Sequence, residues 1–219
     1  MEKGTSTVPI VHVVDDDAGM RKALCVLLRA AGYEVRTYAS ANEFLLARPG
    51  DAPGCALLDV RMPGPSGLDL QQALAQRGTE LPVVFLTGHG DIPMSVRAVK
   101  AGAVDFLTKP VKRPALLAAV TAALARDAES RAQREDLREI EARYNRLTAR
   151  EREVLPLVVA GKLNKQTASD LGIAERTVKI HRGRIMEKMQ VQSLAELVHL
   201  AERLGLGLAG TTPRHSKRR

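Results

Sequence analysis

The sequence is poor in aromatic residues and has no tryptophan: three phenylalanines and three tyrosines make up 3% of its 219 residues. Proteins that bind single-stranded nucleic acid by base stacking depend on such side chains, so this class is disfavoured. Two cysteines, Cys25 and Cys55, are too few and too far apart for a disulfide scaffold or a cysteine-ligated zinc site. We expect both to be reduced, buried thiols.

Long apolar runs are also missing, since no segment approaches the roughly 20 residues that a membrane-spanning helix needs. Residues 1–9 lack a basic segment and a small-residue cleavage site, so no secretory signal is visible. We therefore expect a cytoplasmic protein with no membrane partner. Hydrophobic residues make up 45% of the chain, enough for a folded core, and the length fits two small domains or one large one.

The chain has a net charge of +8, and most of the excess positive charge lies in its C-terminal part. Residues 1–125 hold 13 basic and 12 acidic side chains, and residues 126–146 hold 6 of each. Residues 147–219 hold 14 basic and 7 acidic side chains, a balance of +7. We expect nucleic acid or another anionic surface to bind the C-terminal part alone.

Short apolar strands alternate with amphipathic helices over the first 125 residues. Val8–Val14 is an apolar run that ends at Asp15, which is typical of a buried parallel strand. Apolar residues at helical spacing follow from Met20 to Ala31. The other predicted strands are 33–38, 55–58, 81–86 and 104–107, and the other helices are 40–47, 67–77, 92–101 and 114–125. Five strands alternating with five helices predict a doubly wound parallel sheet.

Polar residues end four of these strands, at the edge where doubly wound sheets bind their ligands. They are Asp15, Asp16 and Asp17 after the first strand, Asp59 after the third, Thr87 after the fourth and Lys109 after the fifth. Crowded carboxylates favour Mg²⁺, and a lysine and a hydroxyl group can bind phosphoryl oxygens. An aspartate can itself accept a phosphoryl group. Any one of these residues is weak evidence, and we expect Asp17 to cap the first helix.

Four segments of this region resemble the receiver domain of bacterial two-component response regulators. They are VVDDD (13–17), LLDVRMPGPSGLDL (57–70), VVFLTGHGD (83–91) and KAGAVDFLTKP (100–110). The resemblance implies a flavodoxin-like (βα)5 fold in which Asp59 is the phosphoacceptor. It makes Asp16 a direct Mg²⁺ ligand and Asp15 a partner that acts mainly through water, and it assigns the last protein contact of the metal to the backbone carbonyl of Arg61.

The same resemblance assigns the residues that respond to phosphorylation. Thr87 is expected to be the switch hydroxyl, Phe106 the aromatic switch and Lys109 the residue that binds the phosphoryl group. Receiver domains usually have a cis peptide bond at the position of Lys109–Pro110. For Phe85, simple packing in the core is at least as good an explanation as a switching role.

Residues 126–146 alternate acidic and basic side chains without glycine or proline, which is typical of an exposed helix. Leu137, Ile140, Tyr144 and Leu147 follow a heptad-like spacing. This segment either pairs with a second chain or simply extends the preceding helix as a spacer.

The C-terminal region predicts four short helices. Thr148 and Glu151 have the spacing of a capping box, and Ser193 and Glu196 repeat it. We expect Asn164 to cap a helix that ends at Leu171, and a longer, cationic helix to run from Glu175 to Met189. Two helices joined by a glycine-containing turn are typical of a helix-turn-helix, whose second helix enters the DNA major groove.

The segment LTAREREVLPLVVAGKLNKQTASDLGIAERTVKIHRGRIMEKM (147–189) resembles the LuxR-type output domain. Together with a receiver, it indicates the NarL/FixJ class of response regulators and favours the FixJ-like branch. The resemblance assigns Lys179, Ile180 and Arg182 to the DNA groove. It assigns Lys165, Thr177 and Arg184 to the phosphates. Gly183 departs from the residue types expected in the middle of a helix.

The predicted organisation is a receiver domain over 1–125, a helical linker over 126–146 and a small all-α LuxR-type helix-turn-helix domain over 147–204. A disordered basic tail is predicted over 205–219. The expected partners are a sensor histidine kinase, double-stranded promoter DNA, RNA polymerase and, after phosphorylation, a second copy of the chain. We expect a regulator of transcription that is not an enzyme beyond phosphoryl transfer to its own Asp59. The sequence leaves activation or repression open, and the FixJ-like resemblance favours an activator.

Two other classes of protein share some of these features. A phosphatase with an aspartyl-phosphate intermediate carries its nucleophile on the first strand, whereas the isolated Asp59 ends the third. A constitutive DNA-binding protein with a degenerate receiver is disfavoured by the complete set formed by Asp15, Asp16, Asp59, Thr87 and Lys109.

Overall fold

The strands of the N-terminal half form one parallel sheet with the order β2-β1-β3-β4-β5. They are β1 (Ile10–Val14), β2 (Glu34–Tyr38), β3 (Gly54–Asp59), β4 (Val83–Thr87) and β5 (Asp105–Thr108). The computed structural model describes residues 8–47, 52–88 and 102–206. The chain divides into two compact units, Met1–Arg131 and Ala132–Arg219.

Helices cover both faces of the sheet, which is why every residue of β1, β3 and β4 is buried. The described helices of this unit are α1 (Ala18–Ala30), α2 (Ala41–Ala47), α3 (Gly67–Gln76) and the first part of α4 (Arg113–Asn145). Phe44, Leu58 and Phe85 belong to the core on one side, and Leu28 and Leu116 to the core on the other. The predicted doubly wound fold is therefore confirmed. The helix predicted over 92–101 lies outside the described residues.

Helix α4 is longer than the helix that the sequence predicts over 114–125. It continues without a break to Asn145, so the predicted linker segment and the last receiver helix form one element. No glycine or proline interrupts residues 115–145, so nothing in the backbone requires a break there.

A hydrogen bond and an ion pair of Asp127 connect α4 to the amino end of β3. Its carboxylate is 2% exposed, accepts a hydrogen bond from the Gly54 amide at 2.9 Å and pairs with Arg131 Nε at 2.8 Å. Arg131 also donates to the carbonyl of Ala52 at 2.7 Å. Burial, followed by the negative charge of Asp127, raises the pKa of Cys55 to about 12, so this thiol stays protonated. The expectation of a buried thiol is confirmed for Cys55, while Cys25 is half-buried.

The second unit contains the end of α4 and four further helices, as the sequence predicts. These are α5 (Ala149–Val159), α6 (Asn164–Leu171), α7 (Glu175–Met189) and α8 (Leu194–Arg203). The capping box of Thr148 and Glu151 is confirmed. Asn164 is not the cap of α6, because Leu163 holds the extended cap position and its amide donates to Gln166 Oε1 at 2.9 Å.

The heptad-like stripe of the linker is partly buried inside its own unit. Ile140 is 1% exposed and Leu147 is 3% exposed in the core that they share with Val154 and Ile185. Tyr144 packs against this core and carries the guanidinium of Arg152 over its ring. This packing occupies the face on which the spacing would pair two chains. Within the described ranges, no helix is long and apolar enough to cross a membrane.

We expect removal of either member of the Asp127–Arg131 pair to destabilise the N-terminal unit. Asp127→Ala and Arg131→Met should each lower the free energy of unfolding by about 3 kcal/mol, because each leaves a partner without its ion pair. The double variant should lose less than the sum of the two single losses. Denaturant titration measures these values.

Glu135→Ala is the matched control on the same helix. It breaks the exposed Arg138–Glu135 pair, where both side chains are more than half exposed, and should change the free energy of unfolding by less than about 0.5 kcal/mol. Strictly additive losses for Asp127 and Arg131 would show that the two residues are not coupled.

His12 makes the stability of the sheet depend on pH. Burial, followed by the charge of Arg36, lowers the pKa of His12 from 6.5 to about 4, and its Nδ1 lies 3.1 Å from the Tyr38 hydroxyl. The unfolded chain therefore binds this proton at a higher pH than the native protein. We expect His12 to reduce the free energy of unfolding as the pH falls from 6.5 to about 4, by at most about 3 kcal/mol.

Denaturant titrations across this pH range test the prediction. The His12→Gln variant keeps a polar side chain beside Tyr38 and should lack this component of the pH dependence. Equal pH slopes for the parent and the variant would contradict it.

Candidate functional site

Asp15, Asp59 and Lys109 meet at the carboxyl edge of the sheet. Lys109 Nζ lies 2.6 Å from Asp15 Oδ2 and 2.8 Å from Asp59 Oδ2. Asp15 follows β1, Asp59 ends β3 and Lys109 follows β5, so the parallel arrangement brings residues far apart in sequence to one edge. Asp15 is fully buried and Asp59 is 7% exposed. Burial by itself would lower the pKa of Lys109, but its hydrogen bonds to the two carboxylates raise it above the ordinary value.

Backbone amides orient the two buried carboxylates. The amide of Asp17 donates to Asp15 Oδ1 at 2.9 Å, and the amide of Arg61 donates to Asp59 Oδ1 at 3.3 Å. Asp17 caps α1, as predicted, by accepting hydrogen bonds from two amides of the first turn. Of the three aspartates that follow β1, Asp15 is buried, whereas Asp16 and Asp17 are exposed.

Arg21 is a part of this site that sequence reasoning missed. Its guanidinium donates to the carbonyls of Asp15 and Asp16, at 2.7 and 2.9 Å, and so fixes the loop that presents these two carboxylates. The only signal in the sequence is an arginine one helical turn after the start of α1, and such residues are usually solvated.

The acidic residues have the chemistry and spacing of a divalent-cation site. One carboxylate oxygen from each of Asp15, Asp16 and Asp59 lies within 4.8 Å of the others. Oxygen ligands of this kind suit Mg²⁺, which keeps several waters in its coordination shell. The donor set therefore fits the ion that the sequence predicts.

The structure locates the other predicted receiver residues at the adjacent strands. Thr87 ends β4 and is 3% exposed, and its carbonyl accepts a hydrogen bond from the Lys109 amide at 2.6 Å. Lys109–Pro110 is a cis peptide, as expected. Phe106 is half-buried, with its ring centroid 6.1 Å from that of the buried Phe85.

The first turn of α3 packs directly behind Asp59. Ser66 caps this helix, and Gly67 begins it. A Cβ added to Gly67 would lie 2.2 Å from the carbonyl oxygen of Asp59 and 3.2 Å from the ring of Phe85. A glycine is therefore needed here because α3 approaches the backbone of Asp59 too closely for any side chain.

In the second unit, the predicted DNA-contacting residues occupy α6 and α7. Lys165, Lys179 and Arg182 line one depression between the start of α6 and the outer face of α7. Arg182 is half-buried, and its guanidinium donates to the carbonyl of Lys162 at 3.5 Å. Thr177, Ile180 and Arg184 are also on α7 but do not line this depression.

A buried ion pair that the sequence did not reveal connects α5 to α7. Glu151 is 1% exposed, and its carboxylate lies 2.6 Å from Lys188 Nζ. Burial by itself would raise the pKa of Glu151, but hydrogen bonds from Lys188 and Thr148 hold it below the ordinary value. The pair fixes the far end of α7, while Val178, Ile185 and Met189 bury its inner face.

Both units match known protein families. Residues 11–121 match the response regulator receiver domain, and residues 145–201 match the bacterial regulatory proteins of the luxR family. Nodulation protein W of Bradyrhizobium diazoefficiens is 48% identical over 201 residues, which are 92% of this chain and 88% of that protein. Transcriptional regulatory protein FixJ of Azorhizobium caulinodans is 46% identical over 203 residues, covering 93% of this chain and 94% of that one.

A solved structure is similar over both units. The low-resolution structure of the response regulator StyR has a TM-score of 0.79 and 51% sequence identity, and the match covers 90% of this chain and 99% of that one.

A receiver followed by a LuxR-type DNA-binding domain defines a transcriptional response regulator of a two-component system. The chain belongs to the FixJ-like response regulators. The resemblance predicted from the sequence is therefore confirmed, whereas the roles of individual residues stay predictions.

We expect Gly67→Ala to destabilise the receiver, because the added methyl group would overlap the carbonyl of Asp59. The free energy of unfolding should fall by about 1–3 kcal/mol. Gln72→Ala, at an exposed position of the same helix, should change it by less than about 0.5 kcal/mol. Denaturant titration compares the two variants, and equal stability would show that α3 can move away from β3 without cost.

Proposed function

We propose that this regulator accepts a phosphoryl group on Asp59 from a phosphohistidine of a sensor histidine kinase. The observation that carries the proposal is the placement of Lys109 between the carboxylates of Asp15 and Asp59. A carboxylate oxygen of Asp59 would form the new P–O bond while the P–N bond to the histidine breaks and its electron pair returns to the ring. This transfer is the only reaction in the proposal, so the chain is not an enzyme acting on another substrate.

The neighbouring residues have complementary roles in this proposal. Mg²⁺, when bound, supplies positive charge at the phosphoryl oxygens, and Asp15, Asp16, Asp59 and the backbone carbonyl of Arg61 would hold it. The ammonium group of Lys109 would leave its contact with Asp59 to bind a phosphoryl oxygen.

Phosphorylation is proposed to repack the surface of β5, α4 and the helix that the sequence predicts over 92–101. The Thr87 hydroxyl would hydrogen-bond the phosphoryl group, and Phe106 would turn towards the core beside Phe85. A local change in charge can bias such a two-state element. The altered surface would pair with the same surface of a second copy of the chain.

Pairing of two chains would bring two helix-turn-helix units to the two half-sites of a promoter operator. Lys179, Ile180 and Arg182 would then contact base edges. Lys165, Thr177 and Arg184 would contact phosphates, which position the protein without specifying sequence. Bound to the promoter, the regulator would activate transcription together with RNA polymerase. The proposed location of the protein is the cytoplasm.

The proposal retains the predicted organisation: a receiver over 1–125, a linker over 126–146, a DNA-binding domain over 147–204 and a disordered tail over 205–219. The two compact units divide at residues 131 and 132, inside the proposed linker. The first two residues of the predicted tail are ordered, because the amides of Gly205 and Leu206 donate to carbonyls of α8. Residues 207–219 lie outside the described part of the chain.

We expect acetyl phosphate with Mg²⁺ to double the molar mass of the full chain and to tighten its DNA binding. Asp59→Asn should abolish both changes, because the amide cannot accept the phosphoryl group. Glu34→Gln, on the exposed edge strand β2, is the control and should respond like the parent. Light scattering measures the mass, and footprinting measures binding to a duplex that the phosphorylated parent selects from a random-sequence pool.

Two results would contradict the proposal. An unchanged response of Asp59→Asn would exclude Asp59 as the phosphoacceptor. Equal binding by the parent with and without acetyl phosphate would instead favour a constitutive DNA-binding protein.

A further inference from the structure

Gly183 is a glycine that the fold of this protein does not require. Most described glycines have a positive φ or approach other atoms closely; Gly172, for example, ends α6 in the left-handed conformation. Among the described residues, only Gly88 and Gly183 have neither property: a Cβ added to either would meet nothing within 4 Å. Gly183 lies near the middle of α7, where glycine is among the least favourable residues. Alanine would fit the fold better.

Gly183 lies on the exposed face of α7, opposite the buried side chains of Val178 and Ile185. Its neighbours on this face, three and four positions earlier, are Ile180 and Lys179. Ile180 is 47% exposed, which makes it an apolar side chain standing out of a cationic surface. The missing side chain at position 183 therefore leaves a gap in the surface directly beside Ile180.

We infer that Gly183 is a specificity-determining residue, whose gap beside Ile180 accepts the thymine methyl group of a T·A base pair in the DNA major groove. Neither Ile180 nor Gly183 has a side-chain hydrogen-bond donor or acceptor. The thymine methyl is the apolar feature that the major groove presents, so it is the group that this pair of residues can recognise. The inference rests on the proposed binding of DNA through α7.

The Gly183→Ala variant separates folding from recognition, because the two effects have opposite signs. The added methyl group should raise the melting temperature by a few degrees, since it improves the helix and contacts nothing in the protein. The same methyl group fills the gap and should weaken binding to the duplex selected by the parent by at least about fivefold. Binding to a scrambled duplex of equal length should stay unchanged, because it depends on phosphate contacts.

Removing the thymine methyl group from the DNA tests the same contact without changing the protein. Replacing the thymines of the selected duplex by deoxyuridine, one at a time, removes single methyl groups. One replacement should weaken parent binding about fourfold, the value of one buried methyl group. That replacement should have little further effect on Gly183→Ala. Ser169→Ala, at an exposed position of α6, is the control: it should also favour the helix and should leave affinity for every duplex unchanged.

The possible results distinguish this inference from the proposed function. If the parent selects a duplex and Gly183→Ala binds it as tightly as the parent does, the inference is wrong and the proposed function stands. Equal weakening on selected and scrambled duplexes would also overturn it, because the gap would then serve phosphate contacts. If the phosphorylated parent selects no duplex, the proposed function fails, and the inference fails with it.

Discussion

The ion contacts of Lys109 with Asp15 and Asp59 are the interaction on which the regulatory unit depends. A parallel sheet brings the carboxyl ends of its strands to one edge, and here that edge carries two buried carboxylates within reach of one ammonium group. At an effective dielectric constant near 20, two like charges 4 Å apart repel by about 4 kcal/mol. The ammonium group of Lys109, at 2.6 Å from Asp15 Oδ2 and 2.8 Å from Asp59 Oδ2, offsets this repulsion. The carboxylates of Asp15, Asp16 and Asp59 also form an acidic pocket that is compatible with a divalent cation.

The site depends on a second constraint, the close fit of the elements behind it. The carbonyl of Asp59 lies against Gly67, and the ring of Phe85 closes the other side of that contact. Arg21 holds the loop of Asp15 and Asp16 from the first turns of α1. These contacts fix the backbone of Asp59 and of the Asp15–Asp16 loop, from which the acidic side chains extend.

Helix α4 takes part in the cores of both units. Leu116 and Val120 pack under the sheet, and the Asp127–Arg131 pair adds an ionic contact at the amino end of β3. Beyond the unit boundary, Ile140 lies in the core of the DNA-binding unit. The heptad-like spacing predicted either pairing or a spacer; it could not reveal packing within the chain, because the same apolar spacing serves both kinds of contact.

The sequence by itself determined the order of strands and helices, the class of each unit and the residues at the carboxyl edge of the sheet. It could do so because apolar periodicity and strand-end positions are local in the chain. Only the tertiary structure decided that Lys109 bridges two carboxylates, that Glu151 pairs with Lys188, that Leu163 and not Asn164 caps α6, and that Gly183 faces open space. These features arise from contacts between residues distant in sequence or from exact backbone angles, and a local pattern carries no record of either.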